Sequence, residues 1–276
     1  MTKHQKDLNK LCVHTITTKP WSLEESLEHY AASGIGGISV WTDAYAEMGP
    51  AKAGELIADS PLEVVSLVRG GFFPKATASE RAKAIEDNKR LIEEAAALGA
   101  PLIVLVCGAE PTQSLSTSRA QIQTGIEALL PLAESLNIKL GIEPLHPMYA
   151  DTRSAVSTLN QANDMTEAIQ SPLVGVVVDV YHLWWDERLE AEIKRAGDKD
   201  YLFAYHICDW KVPTEDMLND RGLMGEGCIN VPQISDWVSQ AGFSGFTEVE
   251  IFSHRHWQSD QSEFLEKIIK AYHTHA

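Results

Sequence analysis

A short apolar run followed by an amphipathic stretch recurs eight times along this chain of 276 residues. Runs such as PLIVLVC and VGVVVDV are almost continuously apolar, which is typical of parallel strands covered by helices on both faces. Eight strand–helix units in about 270 residues predict an α/β fold with a single closed (β/α)8 barrel, the TIM barrel, over residues 1–276. A doubly wound open sheet is the alternative. The predicted strands are 11–14, 37–41, 63–68, 102–107, 139–143, 175–179, 202–207 and 247–251.

The stretches between these strands carry helix signals. Ser22 followed three residues later by Glu25 indicates a capped helix start, and Gly99 indicates a helix end. The segment 44–58 is the weakest prediction, because Gly49 and Pro50 interrupt it. The other predicted helices are 77–98, 118–136, 155–169, 187–196, 231–241 and 259–271.

Composition and charge limit the classes of partner. No window of about 18 residues is apolar throughout, and the start MTKHQKDLNKL lacks the apolar stretch of a signal peptide. The four cysteines are widely spaced and form no CxxC, which is typical of reduced thiols. We therefore expect a cytoplasmic protein without a membrane partner. The formal net charge of −16 opposes nucleic-acid binding, which usually requires a basic surface.

Four predicted strands end in residues that can ligate a metal: Glu143, Asp179, His206 and Glu250. The carboxyl ends of barrel strands meet at one face, so these side chains are expected to converge there. A buried carboxylate costs several kcal/mol unless it is paired or bound to a metal. An oxygen-rich set suits Mn²⁺, Mg²⁺ or Co²⁺ better than a structural zinc. We predict one divalent ion, with Mn²⁺ expected first and Mg²⁺, Co²⁺ or Zn²⁺ as alternatives. A salt-bridge network is the competing interpretation.

The last strand offers both Glu248 and Glu250, which alternation places on the same face. Glu250 lies nearer the carboxyl end, where barrel chemistry occurs, and is therefore the predicted ligand. Glu248 is expected one layer deeper, in contact with a ligand or simply hydrogen-bonded below the site.

Four motifs surround these residues: EPLHP from Glu143, DVYH at Asp179–His182, HICDW at His206–Trp210 and EIFS at Glu250–Ser253. In their order and spacing they resemble the sugar isomerase/epimerase superfamily of xylose isomerase-like barrels, and its ketose 3-epimerase relatives in particular. The resemblance implies that a metal polarises a sugar carbonyl. It also implies that Glu143 and Glu250 exchange a proton through an enediolate. Tyr149 stands where 3-epimerases often carry a further Glu that contacts substrate hydroxyls. The part of the site that contacts the substrate is therefore expected to differ.

Further side chains are predicted to bind the substrate. His182 does so by the family pattern. Arg69, His14 and Trp41 end the first three strands, where each could equally be an ordinary rim residue. Asp209 could orient His206, bind substrate or have a structural role in the loop. Lys211 and Arg221 lie in a long loop that contains glycines and is expected to cover the active face. The loop could bind a phosphate, for which the signal is weak, or could act as a flexible lid. Tryptophans 184, 185 and 210 could shield the site or form a subunit contact, so a homo-oligomer is one expectation.

These observations favour an enzyme that isomerises or epimerises a small sugar or sugar derivative. A metal-dependent lyase or hydratase acting on a keto-sugar or 3-keto-glycoside is the alternative, because it would use the same proton abstraction. A non-catalytic sugar-binding protein is opposed by the intact ligand set. An abasic-site endonuclease would need more metal-binding histidines and a basic DNA face.

Overall fold

The computed structural model describes residues 6–276 and contains a closed barrel of eight parallel strands. The barrel closes because the first strand pairs with both the second and the last, and Cys12 lies opposite Gly37 and Glu248. The closed (β/α)8 barrel predicted from the sequence is therefore confirmed over the open sheet. Its strands are β1 Leu11–His14, β2 Gly37–Trp41, β3 Glu63–Gly71, β4 Leu102–Val106, β5 Lys139–Glu143, β6 Val174–Asp179, β7 Leu202–Ile207 and β10 Thr247–Val249. Two short strands, β8 Asp209–Trp210 and β9 Arg221–Gly222, form an antiparallel pair in the loop after β7.

The helices follow the strands around the barrel. Ser22 and Thr77 each start a helix with a complete capping box, in which the side chain at the third helical position bonds back to the cap. In the part of the chain that the structure describes, no helix is long and apolar enough to cross a membrane. The helices are α1 Leu23–Ala32, α2 Pro50–Ala58, α3 Ala78–Leu98, α4 Leu115–Leu136, α5 Leu159–Ile169, α6 Val180–Leu183, α7 Leu189–Gly197, α8 Val231–Gln240, α9 His254–Trp257 and α10 Gln261–His275.

Several predicted boundaries were wrong by a few residues. Helix α4 begins before residue 118 because Ser114 caps it, and α5 begins after residue 155 because Thr158 caps it. The predicted helix 44–58 is regular only from Pro50, since the preceding Gly49 adopts a φ of 81°. The last strand ends at Val249, so Glu250 lies just beyond it.

An apolar layer inside the barrel supports the polar side chains above it. Leu102, Val104, Val177 and Ala204 belong to one buried cluster. Side chains two positions apart in a strand share a face. Asp179 therefore lies one step above Val177 on β6, and His206 one step above Ala204 on β7. The functional side chains thus stand at the carboxyl ends of the strands, on a packed apolar floor.

The end of β3 is held by a buried side chain from α3. Gly71 has a φ of 107°, and a Cβ on it would lie 2.0 Å from the carbonyl oxygen of Val106. The Asn88 amide accepts from the Gly71 N–H at 2.6 Å and donates to the Gly71 carbonyl at 2.7 Å. A second Asn88 bond reaches the Ala84 carbonyl at 2.8 Å. These bonds fix the backbone directly after Arg69, which reaches the site.

Replacing Asn88 should therefore destabilise the barrel. Asn88→Ala leaves the backbone groups of Gly71 without their partners, and we expect the free energy of unfolding to fall by roughly 2–4 kcal/mol. Denaturant titration measures the change. Glu93→Ala, an exposed position on the same helix, is the control and should stay within about 0.5 kcal/mol of the parent. Equal stabilities of the two variants would contradict this role of Asn88.

Candidate metal and substrate site

The structure brings the four predicted ligands together at the carboxyl end of the barrel. Glu143 ends β5, Asp179 ends β6, His206 lies on β7, and Glu250 follows β10. All four side chains are buried. One ligand atom from each lies within 4.8 Å of the others. Donors from four separate strands thus converge on one small volume.

Several atoms in this group have no hydrogen-bond partner. They are Glu143 Oε1 and both ring nitrogens of His206. Glu143 Oε1 lies 3.1 Å from His206 Nδ1. Buried polar atoms are nearly always hydrogen-bonded, so these unpartnered atoms need an explanation. Three carboxylates and an imidazole are a donor set that fits a divalent cation.

The pKa values of His206 and Asp179 are consistent with a metal site. Burial alone would lower the pKa of His206, but the charges of Glu248, Glu143 and Glu250 raise it to about 10. Burial also raises the pKa of Asp179, which the Glu250 and Glu143 charges raise further and Arg221 opposes. Without an ion, the group therefore retains protons at neutral pH. A cation that binds here must displace them.

Arg221 reaches the centre of the group from the loop after β7. Its Nη1 donates to Glu250 Oε2 at 2.6 Å and to Asp179 Oδ2 at 3.1 Å. The guanidinium carbon lies 4.5 Å from the ring centre of Tyr181 and 5.0 Å from that of Phe252. The side chain is buried. The loop thus supplies a fixed positive charge to the carboxylates.

His182 is also turned into the site. The short helix α6 follows directly after Asp179 and rotates the ring inward, where it is buried. The backbone N–H of His146 donates to His182 Nδ1 at 3.3 Å. Burial, and then the charge of Arg221, hold the pKa of His182 well below its usual range. The ring is therefore neutral, and its Nε2 lies 3.2 Å from Arg221 Nη2.

Glu248 lies below the ligand group and connects it to two strands. Its Oε2 accepts from Ser39 Oγ at 2.6 Å and lies 3.0 Å from His14 Nε2. The same oxygen is 3.7 Å from His206 Nε2. Glu248 therefore faces the side of His206 opposite to Glu143. A carboxylate in that position orients the ring of a metal-binding histidine.

The nitrogens of His14 are occupied within the protein. Nε2 faces Glu248, while Nδ1 accepts from Trp41 Nε1 at 3.2 Å and lies 3.3 Å from Glu250 Oε1. His14 is fully buried and does not line the cavity, whereas Trp41 does. The contacts of His14 thus correspond to support of Glu248, Glu250 and Trp41 rather than to the substrate binding predicted for it.

Asp209 and Lys211 are placed in the loop and not at the cavity. The Asp209 carboxylate accepts four backbone N–H bonds of 2.8–2.9 Å, from Trp210, Gly225, Gly227 and Ile229. Lys211 Nζ donates to Asp220. Their polar atoms are used within the loop, whereas substrate binding by these two residues stays a prediction. The bonds to Asp209 remove the amides of Gly225 and Gly227 as a phosphate cradle.

A cavity of about 20 Å³ lies next to the ligand group. Arg69, Trp41, His182 and Arg221, all predicted near the substrate, reach it. Arg153 and Leu218 were missed, because no motif marks a side chain that an irregular loop brings to a cavity. Phe252 lies in the EIFS motif but was not predicted to line the cavity. Tyr149 also lines it, and its hydroxyl donates to the Met217 carbonyl. The lining is Trp41, Arg69, Val106, Glu143, Leu145, Tyr149, Arg153, His182, Leu218, Arg221, Glu250 and Phe252.

Residues 27–270 match the family model of the xylose isomerase-like TIM barrel. The chain belongs to this family. The match confirms the superfamily predicted from the four motifs.

Three relatives show how the similarity is distributed. A crystal structure of protein SMc04130 from Sinorhizobium meliloti 1021 superposes with a TM-score of 0.94, at 41% identity over 98% of this chain and 99% of that one. An inosose isomerase of Halalkalibacterium halodurans is 26% identical over 213 residues, 74% of this chain and 71% of the relative. A crystal structure of the IOLI protein with a zinc atom superposes with a TM-score of 0.82, at 23% identity over 95% of this chain and 96% of that one. The last comparison carries the fold alone.

The role of Asp209 can be measured directly. Asp209→Ala removes the acceptor of four backbone N–H groups, so we expect faster amide hydrogen exchange at residues 225–229 and faster proteolysis of the loop. Mass spectrometry of the exchanged peptides checks both. Glu215→Ala, an exposed position in the same loop, is the control and should behave like the parent. Unchanged exchange in Asp209→Ala would show that the loop does not depend on this carboxylate.

Proposed function

We propose that this protein is a divalent-metal-dependent sugar isomerase or epimerase that moves a proton at a carbon beside a carbonyl. One observation carries the proposal: Glu143 and Glu250 both line one cavity and both belong to the ligand group. Their strands are separated in the barrel by β6 and β7, so the two carboxylates approach from different sides. The inosose isomerase relatives support the same reaction class.

The proposed cofactor is one divalent ion held by Glu143, Asp179, His206 and Glu250. The unpartnered atoms of Glu143 and His206 support this assignment, as does the zinc of the IOLI neighbour. Mn²⁺ is the ion that we expect, because three of the four ligands are carboxylates. When bound, such an ion polarises a sugar carbonyl and acidifies the neighbouring C–H.

Side chains of the protein carry out the other steps of the proposed reaction. Glu143 and Glu250 take the proton from one face of the sugar carbon and return it to the other or to the adjacent carbon, through an enediolate. Neutral His182 lines the cavity, where it can contact a sugar oxygen. Arg221 holds Glu250 and Asp179 in place. Trp41 and Phe252 form an aromatic wall, with ring centres 5.1 Å apart, that excludes water from the cavity.

Tyr149 bears on the choice between the leading function and elimination. A lyase needs an acid near the leaving group, and Tyr149 is the cavity residue that departs from the 3-epimerase pattern. Its hydroxyl already donates to the Met217 carbonyl. This engagement favours isomerisation or epimerisation over β-elimination.

Removing a proposed ligand should remove the metal. In Glu143→Ala and His206→Ala, we expect bound divalent metal to fall below about a tenth of the parent content and kcat/KM to fall at least about 100-fold. Inductively coupled plasma mass spectrometry and turnover assays measure the two quantities. Glu93→Ala, an exposed carboxylate, should match the parent in both. Full metal content in both ligand variants would refute the assignment.

The proposed proton transfer can be followed with a deuterium-labelled substrate. A ketose deuterated beside its carbonyl should lose deuterium to water in the presence of the metal-loaded protein. Glu250→Gln keeps the shape of the side chain but not its basicity, so it should slow the loss by about 10²–10⁴-fold. Mass spectrometry of the recovered sugar provides the readout. Product formed with the label fully retained would contradict the mechanism, and loss of a substituent would indicate a lyase.

A further inference from the structure

We propose that the substrate carries an anionic oxygen group, a carboxylate or a phosphate, which Arg69 and Arg153 bind in the cavity beside the ligand group. This inference rests on the proposed function and narrows its substrate class. Both arginines line the cavity together with Glu143, Glu250 and Arg221. Both are partly buried.

The two guanidinium groups differ from the other arginines of the chain. Each of the remaining seven donates to a carboxylate or to a backbone carbonyl oxygen. Among the described residues, Arg69 and Arg153 take part in no ion pair and no side-chain hydrogen bond. The chain has 39 acidic residues against 23 basic ones, so partners are abundant. Two unpaired arginines in one cavity therefore indicate an acceptor that comes from outside.

The surroundings of the pair favour an anion. Partial burial, and then the charge of Arg153, lower the pKa of Arg69. Two like charges that face one partly buried space repel each other, and a bound anion would offset this repulsion. Burial raises the pKa of Tyr149, which contacts Arg153, so its hydroxyl is neutral. The cavity thus combines carboxylates of the ligand group with two guanidinium groups that have no ion pair, although the charges of Glu250 and Glu143 also act on Arg69.

The arginines are held by packing rather than by charge. The Arg69 guanidinium lies 5.7 Å from the ring centre of Trp41 and 5.0 Å from that of Phe72. The Arg153 guanidinium lies 5.6 Å from the ring centre of Tyr149. These contacts orient the planar groups but leave their N–H donors available. Guanidinium groups in this state bind carboxylates and phosphates through paired hydrogen bonds.

A matched set of substrates tests the inference on the metal-loaded full chain. The set contains a neutral ketose, the keto-sugar acid of the same length and the corresponding ketose phosphate. Deuterium exchange and kcat/KM are measured for each. We expect the acid or the phosphate to exceed the neutral ketose in kcat/KM by at least about tenfold, and the preferred compound identifies the anion.

Variants then assign the preference to the arginines. Arg69→Gln and Arg153→Gln should each lower kcat/KM for the anionic substrate at least about tenfold more than kcat/KM for the neutral ketose. Arg69→Lys and Arg153→Lys keep the charge and should recover part of the loss. Arg90→Gln, at an exposed helical position, is the control. A parent enzyme that prefers the neutral ketose would overturn the inference. So would variants that lose activity equally on all three substrates.

Failure of the proposed function gives a different result. If none of the three compounds exchanges deuterium, the isomerase assignment falls, and calorimetry with malonate and inorganic phosphate tests the anion site alone. Binding that Arg69→Gln and Arg153→Gln weaken at least about tenfold would support the site. Equal binding by parent and variants, or none by either, would overturn it. Circular dichroism of each variant verifies the fold.

Discussion

Glu143, Asp179, Glu248 and Glu250 place four buried carboxylates around the single imidazole of His206. Charges in an apolar interior are tolerated only when cations or hydrogen-bond donors surround them. Arg221, His14 and Ser39 supply part of this compensation. Glu143 Oε1 and the His206 nitrogens remain without hydrogen bonds. The other side chains of the site surround these atoms, and a bound cation would supply the positive charge that the protein does not.

The loop after β7 belongs to the same electrostatic arrangement. Asp209 gathers its backbone amides, and the Met217 carbonyl accepts hydrogen bonds from Tyr149 and Tyr181. Arg221, in the same loop, contacts two of the ligand carboxylates. The conformation of the loop and the positions of the ligands are therefore coupled. A change in one is expected to alter the other, although Asp209 lies outside the cavity.

The sequence predicted the parts of this site that belong to regular structure. Each ligand closes an apolar run, and a barrel necessarily brings such positions to one face. Contacts made by loops could not be predicted in this way. Asp209 binds amides up to 20 residues further along the chain, and Arg153 reaches the cavity from the irregular segment after Tyr149. Neither position follows a periodic pattern, so the contacts of these two side chains could not be predicted from the sequence.

His14 and Glu248 show a second reason why some contacts of the site could not be predicted from the sequence. Both were recognised as residues at one end of the barrel, but strand alternation fixes only the face and the layer of a side chain. Whether a buried polar group points at the ion, at another ligand or at a substrate depends on distances of about 1 Å. The His14–Glu248 bond of 3.0 Å became visible only in three dimensions.

The central claim is that these four strand ends hold one divalent ion. Anomalous X-ray diffraction from crystals of the protein grown with Mn²⁺ tests it most directly. A single strong peak is expected within about 2.3 Å of one ligand atom each from Glu143, Asp179, His206 and Glu250. No peak at this position under saturating Mn²⁺, or a peak bound by Glu248 and His14 instead, would contradict the account.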